Sequence, residues 1–336
     1  MVAFMKVHVL NAGHGDCLLI QHGNINLLID SGPAAFKIKR KIFLSLKRLL
    51  GDNVIDVAFV THNDDDHIGG YSYLLSQGVK IRKFIFNSLL SLPTIFLSKD
   101  AKISFKQDVV LFKQLNHEGI DFSLFKYGDA PICVGDLKVT PITPNAIDLE
   151  KLYSEFEKTL LYKHQDTKIS AKVKRKEITL VEAISIVKNE LDRFKPDSSV
   201  VNKTSLSFII ESDSCRGLFL GDAHERDVLL NLKKLGVPSG FFNFVKLSHH
   251  GSEKNTSKEL IEFLGNVEYI VCADRTKHGH PNSILLARIL CYNKNACFHM
   301  SSENQEIRNV FQGLVGLDFT ISITFPQDEV NTVIYE

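Results

Sequence analysis

The stretch from Val57 to Gly70, VAFVTHNDDDHIGG, constrains this chain more than any other. An apolar, β-branched run reads as a buried strand, and it ends in two histidines that flank three consecutive aspartates. Carboxylates crowded at a strand's end repel one another unless a cation neutralises them. His62, Asp64, Asp66 and His67 alternate so that imidazoles and carboxylates can be aimed at one point. Mixed nitrogen and oxygen donors suit divalent zinc, manganese or iron. The alternative is an Asx-rich turn in which Asp65 or Asp66 caps the next helix. These residues alone leave both readings open.

The rest of the chain bounds the protein that carries this loop. Its 336 residues, 44% of them apolar, suffice for one large domain or two ordinary ones with a full core. Forty Lys and Arg nearly cancel 39 Asp and Glu, which excludes a globally basic nucleic-acid binder but not a local basic groove. No stretch approaches the roughly 18 apolar residues of a membrane span. The opening MVAFMKVHVLNAGHGD lacks the pattern of a signal peptide, so the expectation is a cytoplasmic protein without a membrane partner. Cys17, Cys133, Cys215, Cys272, Cys291 and Cys297 are scattered without a CxxC pair and are expected to be reduced thiols.

Short strand-like runs open the chain (MKVHVLNAG, DCLLIQHG, INLLIDSG), each bounded by Gly, Asn or Asp. AAFKIKRKIFLSLKRLLG then reads as a helix ending at Gly51. IGGYSYLLSQG is expected as one short helix and FNFVKLSHHGS as a strand, within a strand–helix alternation that continues to NTVIYE. A meander followed by alternation predicts a layered α/β protein, two sheets covered by helices, as a single domain over 1–336. Residues 147–199 interrupt this rhythm as an insertion of two helices. The first carries Leu149, Leu152, Phe156 and Leu160 at helical spacing, and the second carries Leu180, Ile184, Val187 and Leu191 behind a capping box of Thr179 and Glu182. The basic run KISAKVKRKE between them is either a solvated face or positive charge presented to a phosphate-rich substrate.

THNDDDHIGG resembles the HxHxDH signature of the metallo-β-lactamase fold, in the variant with Asp at the second His position, which is similar to ComEC-type DNA-uptake proteins and their soluble relatives. Further elements resemble the family in order: NAGHGDCLLI with Gly13, Gly15 and Asp16, NLLIDSG with Asp30, LFLGDA with Asp222, VKLSHHGS with His249 to Ser252, and KHGHPN with His280. The resemblance implies a four-layer αβ/βα sandwich with two divalent metal ions, zinc or manganese, at one edge of the sheets. By position, His62 and Asp64 would bind the first metal, Asp66, His67 and His249 the second, and Asp222 would bridge them. Asp30 would accept from a ligand imidazole. His250 would meet substrate oxygen, His280 would orient the leaving group, and Ser252 and Arg275 would contact substrate. The family's third histidine for the first site has no clear match; VTPITPN stands near its place, with His117 and His164 as conceivable substitutes.

The resemblance implies a metal-dependent hydrolase, in the first place a phosphodiesterase or nuclease on DNA, RNA or nucleotides, with Asp66 among its catalytic residues. Such an enzyme would fit a multi-gene defence system. The alternatives are a small-molecule hydrolase, phosphorylcholine esterase-like or lactonase-like, and a regulatory subunit with a degenerate metal site. Protein partners cannot be read from the residues.

Overall fold

The computed structural model describes residues 4–91, 106–161, 178–293, 295–314 and 319–336. The first half runs β1 (Met5–Leu10), β2 (Leu18–His22), β3 (Ile25–Ile29), α1 (Phe36–Leu50), β4 (Ile55–Val60), α2 (Asp65–Ile68), α3 (Tyr71–Ser76), β5 (Ile81–Phe86), α4 (Lys106–Glu118) and β6 (Asp121–Ser123). The second begins with β7 (Ile132–Val134), β8 (Leu137–Thr143), α5 (Ala146–Leu161), α6 (Leu180–Lys188), α7 (Val200–Lys203), β9 (Ser207–Glu211) and β10 (Arg216–Phe219). It continues with α8 (Glu225–Lys234), β11 (Phe244–Lys246), α9 (Lys258–Leu264), β12 (Glu268–Val271), α10 (Ser283–Tyr292), β13 (Asn295–Met300), α11 (Gln305–Val310), β14 (Thr320–Thr324) and β15 (Val330–Tyr335).

These strands make two sheets, ordered β15-β1-β2-β3-β4-β5-β6 and β14-β13-β12-β11-β10-β9-β8-β7. Because successive side chains point to opposite faces, each strand serves two cores. Val57 and Phe59 face the other sheet, where they meet Phe208, Phe219 and Phe244. Ala58 and Val60 face outward onto Ile42 and Leu46 of α1, Tyr71 and Leu74 of α3, and Leu111 and Leu115 of α4. On the second sheet Leu218, Val245 and Val271 are covered by α8, α9, α10 and α6. Strands buried on both faces need near-continuous apolar sequence, which is what β3 and β4 have. The result is the expected four-layer αβ/βα sandwich. None of the described helices is long and apolar enough to cross a membrane.

An aromatic ladder joins the sheets: Phe59 stacks on Phe208 with ring centroids 4.7 Å apart, Phe208 on Phe219 at 5.4 Å, and Tyr335 on Phe244 at 4.6 Å. Phe59 stands three residues before His62, so the ladder anchors the strand end that carries the acidic loop. Phe208→Ala is expected to cost about 3–5 kcal/mol, read as a lowered urea midpoint. A cost below about 1 kcal/mol would mean that the neighbouring rings close the cavity.

Both helices of the 147–199 segment are present. Thr179 and Glu182 form the reciprocal capping box, with the Glu182 amide donating to Thr179 Oγ1 at 3.2 Å and the Thr179 amide donating to Glu182 Oε2 at 2.8 Å. Leu149 and Leu152 are buried on α5, and Leu180, Ile184 and Val187 on α6. Leu191 is exposed, because α6 ends at Lys188. The basic run at 168–177 lies outside the described residues, and Phe156 and Leu160 belong to a stretch whose side chains are not described.

Three expectations change. The acidic loop forms a short helix of its own at Asp65–Ile68, ahead of the single helix expected in IGGYSYLLSQG, which runs Tyr71–Ser76. Between them Gly69 and Gly70 bring the backbone against residues 31–34, and a Cβ on Gly70 would lie 2.2 Å from the Ser31 carbonyl oxygen. FNFVKLSHHGS is a strand for only three residues before a 3-10 turn at Ser248–Gly251. β13 and α11 had no signal, since NACFHM lacks both a β-branched run and clean alternation.

Candidate metal centre

The C-terminal ends of β3, β4, β10 and β11 lie along one edge of the paired sheets, and each delivers one part of a cluster. Asp30 follows β3 with a left-handed φ of 57°. Its Oδ1 accepts from the Thr61 amide at 2.8 Å, and its Oδ2 lies 2.9 Å from His67 Nδ1. Gly221 turns the chain out of β10 at φ 48°, where a Cβ would lie 2.4 Å from Ser205 Oγ. The Ser205 hydroxyl donates to the Thr61 carbonyl at 3.0 Å and accepts from the Asp222 amide at 2.8 Å, holding the two sheets' contributions together.

The acidic loop is not a capping turn. Asp64 occupies the N-cap of α2, yet its side chain makes no capping bond and its Oδ2 sits 3.3 Å from His62 Nε2. Asp65 faces away, toward the Ala34 amide at 3.3 Å. Asp66 Oδ2 faces His250 Nε2 at 3.5 Å, and His67 Nε2 faces Asp222 Oδ1 at 3.3 Å.

His249 and His250 both adopt left-handed backbone, φ 48° and 56°, a strain of about 1–3 kcal/mol each that aims two adjacent imidazoles at the same edge. His250 is the inner one. Its Nε2 is 4.0 Å from Asp222 Oδ2, while its Nδ1 lies 3.0 Å from both the Cys272 carbonyl oxygen and Asp16 Oδ1. His249 Nε2 stands 3.8 Å from Asp222 Oδ2, and its Nδ1 lies 3.2 Å from Asn255 Oδ1 and 3.4 Å from Asp197 Oδ2.

His62 Nε2, His67 Nε2, His250 Nε2 and Asp222 Oδ1 are buried without a hydrogen-bond partner. The three ring nitrogens face carboxylates at 3.3–3.5 Å without hydrogen-bond geometry, and because a buried polar atom left without a hydrogen bond costs about 1–3 kcal/mol, the cluster suits a shared cation. Divalent cations fit: imidazole and carboxylate donors converge while the opposite ring nitrogens of His67 and His250 face carboxylates, as orienting partners of metal ligands do. Asp16, His67 and His250 also place donor atoms within 4.8 Å of one another. Asp16 is better read as an orienter, because the Lys246 ammonium already pairs with its carboxylate. Among the described residues no third donor gathers with His62 and Asp64 at that distance. His117 is exposed near the end of α4, and His164 lies outside the described residues.

Without a cation the imidazoles balance the carboxylates. Burial opposes the charged form of His250, yet Asp16 and Asp222 push it up to about 10. His67 is likewise raised, with burial opposed by Asp222, Asp30 and Asp16. At neutral pH a metal must therefore displace protons to take their Nε2 atoms. Apparent metal affinity is expected to rise with pH between about 6 and about 8, with proton release visible as a buffer-dependent heat in calorimetry.

The remaining expected residues are placed as follows. His280 lies at the rim, its ring 5.3 Å from that of His249 and its Nδ1 buried without a partner. Ser252 is buried in the turn after His250, its hydroxyl accepting from the Lys254 amide at 3.2 Å, so the structure does not bring it into the cleft. Arg275 is buried and donates to the Pro281 carbonyl, supporting the turn that carries His280. Sequence reasoning missed four supporting residues. Lys246 pairs with Asp16 and donates to the Gly221 carbonyl at 3.2 Å, its only signal a charge in an apolar strand. Asn202 and Asn255 donate to Asp197 Oδ2 at 2.7 and 3.2 Å behind His249, and no pattern announced them. Ser205 likewise had no signal.

Residues 10–82 match the family model of the metallo-beta-lactamase superfamily. The chain is 20% identical over 299 residues to ComE operon protein 3 of Bacillus subtilis; the match spans 84% of this chain but only 30% of that protein's length. Similar solved structures include the metallo-beta-lactamase fold protein YhfI from Bacillus subtilis, with a TM-score of 0.46 and 12% identity over 98% of this chain and 99% of that one. A diphosphatase from the PhnP family has a TM-score of 0.43 and 12% identity, covering 98% of both chains. With its two helix-covered sheets and the superfamily match over its opening strands, this chain has the metallo-β-lactamase fold.

Proposed function

We propose that this chain is a metal-dependent phosphodiesterase of the nuclease kind, acting on DNA, RNA or nucleotides with two divalent ions, zinc or manganese. The observation that carries the reading is the convergence of buried imidazole nitrogens and carboxylate oxygens that face one another at ion-pair distance and make no hydrogen bond. His62 and Asp64 would hold one ion, Asp66, His67 and His250 the other, with Asp222 between them. This exchanges the roles expected for the histidine pair. His250 is the buried one facing Asp66 and Asp222, whereas His249 is partly exposed and braced by Asp197 and Asn255, which suits substrate contact.

When bound, the two ions would supply an acidified water and a Lewis-acid contact to the scissile oxygen. The chain's own residues supply orientation and charge. Asp30 and Asp16 fix the His67 and His250 rings through Nδ1. His280, held well below its ordinary pKa by burial and by His249 and His250, is a neutral imidazole at the rim, whose ring N–H would donate a hydrogen bond to a substrate oxygen. Lys277, exposed with its Nζ 3.4 Å from His14 Nε2, supplies a cation that would suit a phosphoryl group.

The test is cleavage of labelled single- and double-stranded DNA and RNA by protein loaded with zinc, manganese or magnesium, alongside metal stoichiometry. Asp66→Ala serves as control. Cleavage that requires about two ions and disappears in Asp66→Ala supports the reading. Bound metal with turnover of lactones or phosphorylcholine esters, but of no nucleic acid, would move the substrate to a small molecule. Bound metal without turnover of any of these would favour the regulatory alternative, for which the donor-poor His62–Asp64 pair speaks.

A further inference from the structure

A second cluster of metal-ligating side chains lies at the opposite end of the second sheet. Glu268 begins β12 and pairs with Cys297 on the parallel strand β13, and His299 follows two residues later on the same face. Because the centre described above sits at the C-terminal strand ends, a residue at the start of β12 is at the far edge of the sheet. The face is the inner one, since Ile270, two residues after Glu268, belongs to the core between the sheets.

The donor geometry is that of ligands around one ion. His299 Nε2 lies 3.0 Å from Glu268 Oε2 and 3.6 Å from Cys297 Sγ, and the three donor atoms fall within 4.8 Å of one another. Tetrahedral zinc, with bonds of about 2.3 Å to sulfur and about 2.0–2.1 Å to nitrogen, separates those two donors by about 3.6 Å. The other ring nitrogen is fixed: His299 Nδ1 lies 2.8 Å from Thr324 Oγ1 on β14. If Nδ1 donates to that hydroxyl, the Nε2 lone pair points at a carboxylate oxygen and a sulfur, which requires a second proton or a cation between them. His299 is 5% exposed, whereas Glu268 and Cys297 are partly exposed, so the imidazole is shielded and the site remains open to solvent.

We propose that Glu268, Cys297 and His299 form a second metal site, taking a thiophilic divalent ion such as zinc, with water in the fourth position. Its ligands staple β12 to β13 at the edge remote from the cleft, so it supports the fold rather than the chemistry. It does not depend on the proposed function of the first centre, which is built from nitrogen and oxygen donors alone.

That difference supplies the test. Full-length protein loaded with cobalt(II) should show a thiolate-to-cobalt charge-transfer absorption in the near ultraviolet. Cys297→Ser should abolish the band and remove one metal equivalent per chain without changing turnover at the first centre. Absence of the band in cobalt-loaded wild-type protein, or its persistence in Cys297→Ser, overturns the proposal. Where the variant fails to fold, alkylation of the wild-type protein decides. Zinc should shield Cys297 while exposed Cys133 continues to react, and equal labelling of Cys297 with and without zinc overturns the site.

Discussion

Asp222→Asn is expected to abolish metal-dependent turnover and to weaken metal binding by more than the 10–100-fold typical of outer partners. The carboxylate is buried and faces three imidazoles, with Oδ1 3.3 Å from His67 Nε2 and Oδ2 3.8 and 4.0 Å from the Nε2 atoms of His249 and His250. An amide keeps the shape but removes the charge that would face both cations. The backbone bond from the Asp222 amide to Ser205 survives, so the loop should hold its course. Metal content by elemental analysis and turnover, both on folded variant protein, check the expectation. Full metal occupancy with retained turnover would remove Asp222 from the centre.

Lys246→Met should be the most destabilising change at the site's base. Lys246 is fully enclosed and its ammonium pairs with the equally buried Asp16. Burial opposes the charge on each, but each partner restores it: Asp16 holds Lys246 above its ordinary pKa, and Lys246 with His250 and His67 holds Asp16 below its own. Removing one member of a buried pair leaves an uncompensated charge and costs about 3–5 kcal/mol. Chemical denaturation should show this loss at neutral pH. The sign of the pH effect follows from Asp16. Its depressed pKa means that the pair's contribution is present above the ordinary carboxylate range and is lost as pH falls through the folded value. The gap between wild type and variant should therefore narrow in acid. Replacing both residues, Asp16→Asn with Lys246→Met, should recover part of the loss, and a strictly additive double variant would show that the two are not coupled.

The two predictions separate chemistry from support. Asp222 stands on the cleft side of the imidazoles, facing Nε2 atoms, whereas Asp16 stands behind them, facing Nδ1 atoms. One substitution should therefore appear chiefly in metal content and the other chiefly in stability.

The sequence by itself determined the layers and the loop. Apolar runs at β3 and β4, the helix stripe from Ile42 to Leu50 and the capping box before α6 are local patterns, readable because helix and strand periodicities differ. The cluster of His62, Asp64, Asp66 and His67 was equally legible, because like charges at a strand's end call for a partner wherever the chain goes. Only the tertiary structure decided what those residues face. Which of His249 and His250 turns inward depends on two left-handed residues and on Pro281 packed against Gly251, where a Cβ would come within 2.8 Å. Ser205, Asp197 and Lys246 act on residues far away in sequence, across sheets that no local pattern can register. The same holds for Glu268 and His299, which stand on neighbouring strands, one of them unannounced. Periodicity reports which face of an element is buried; only the pairing of distant strands reports which buried groups meet.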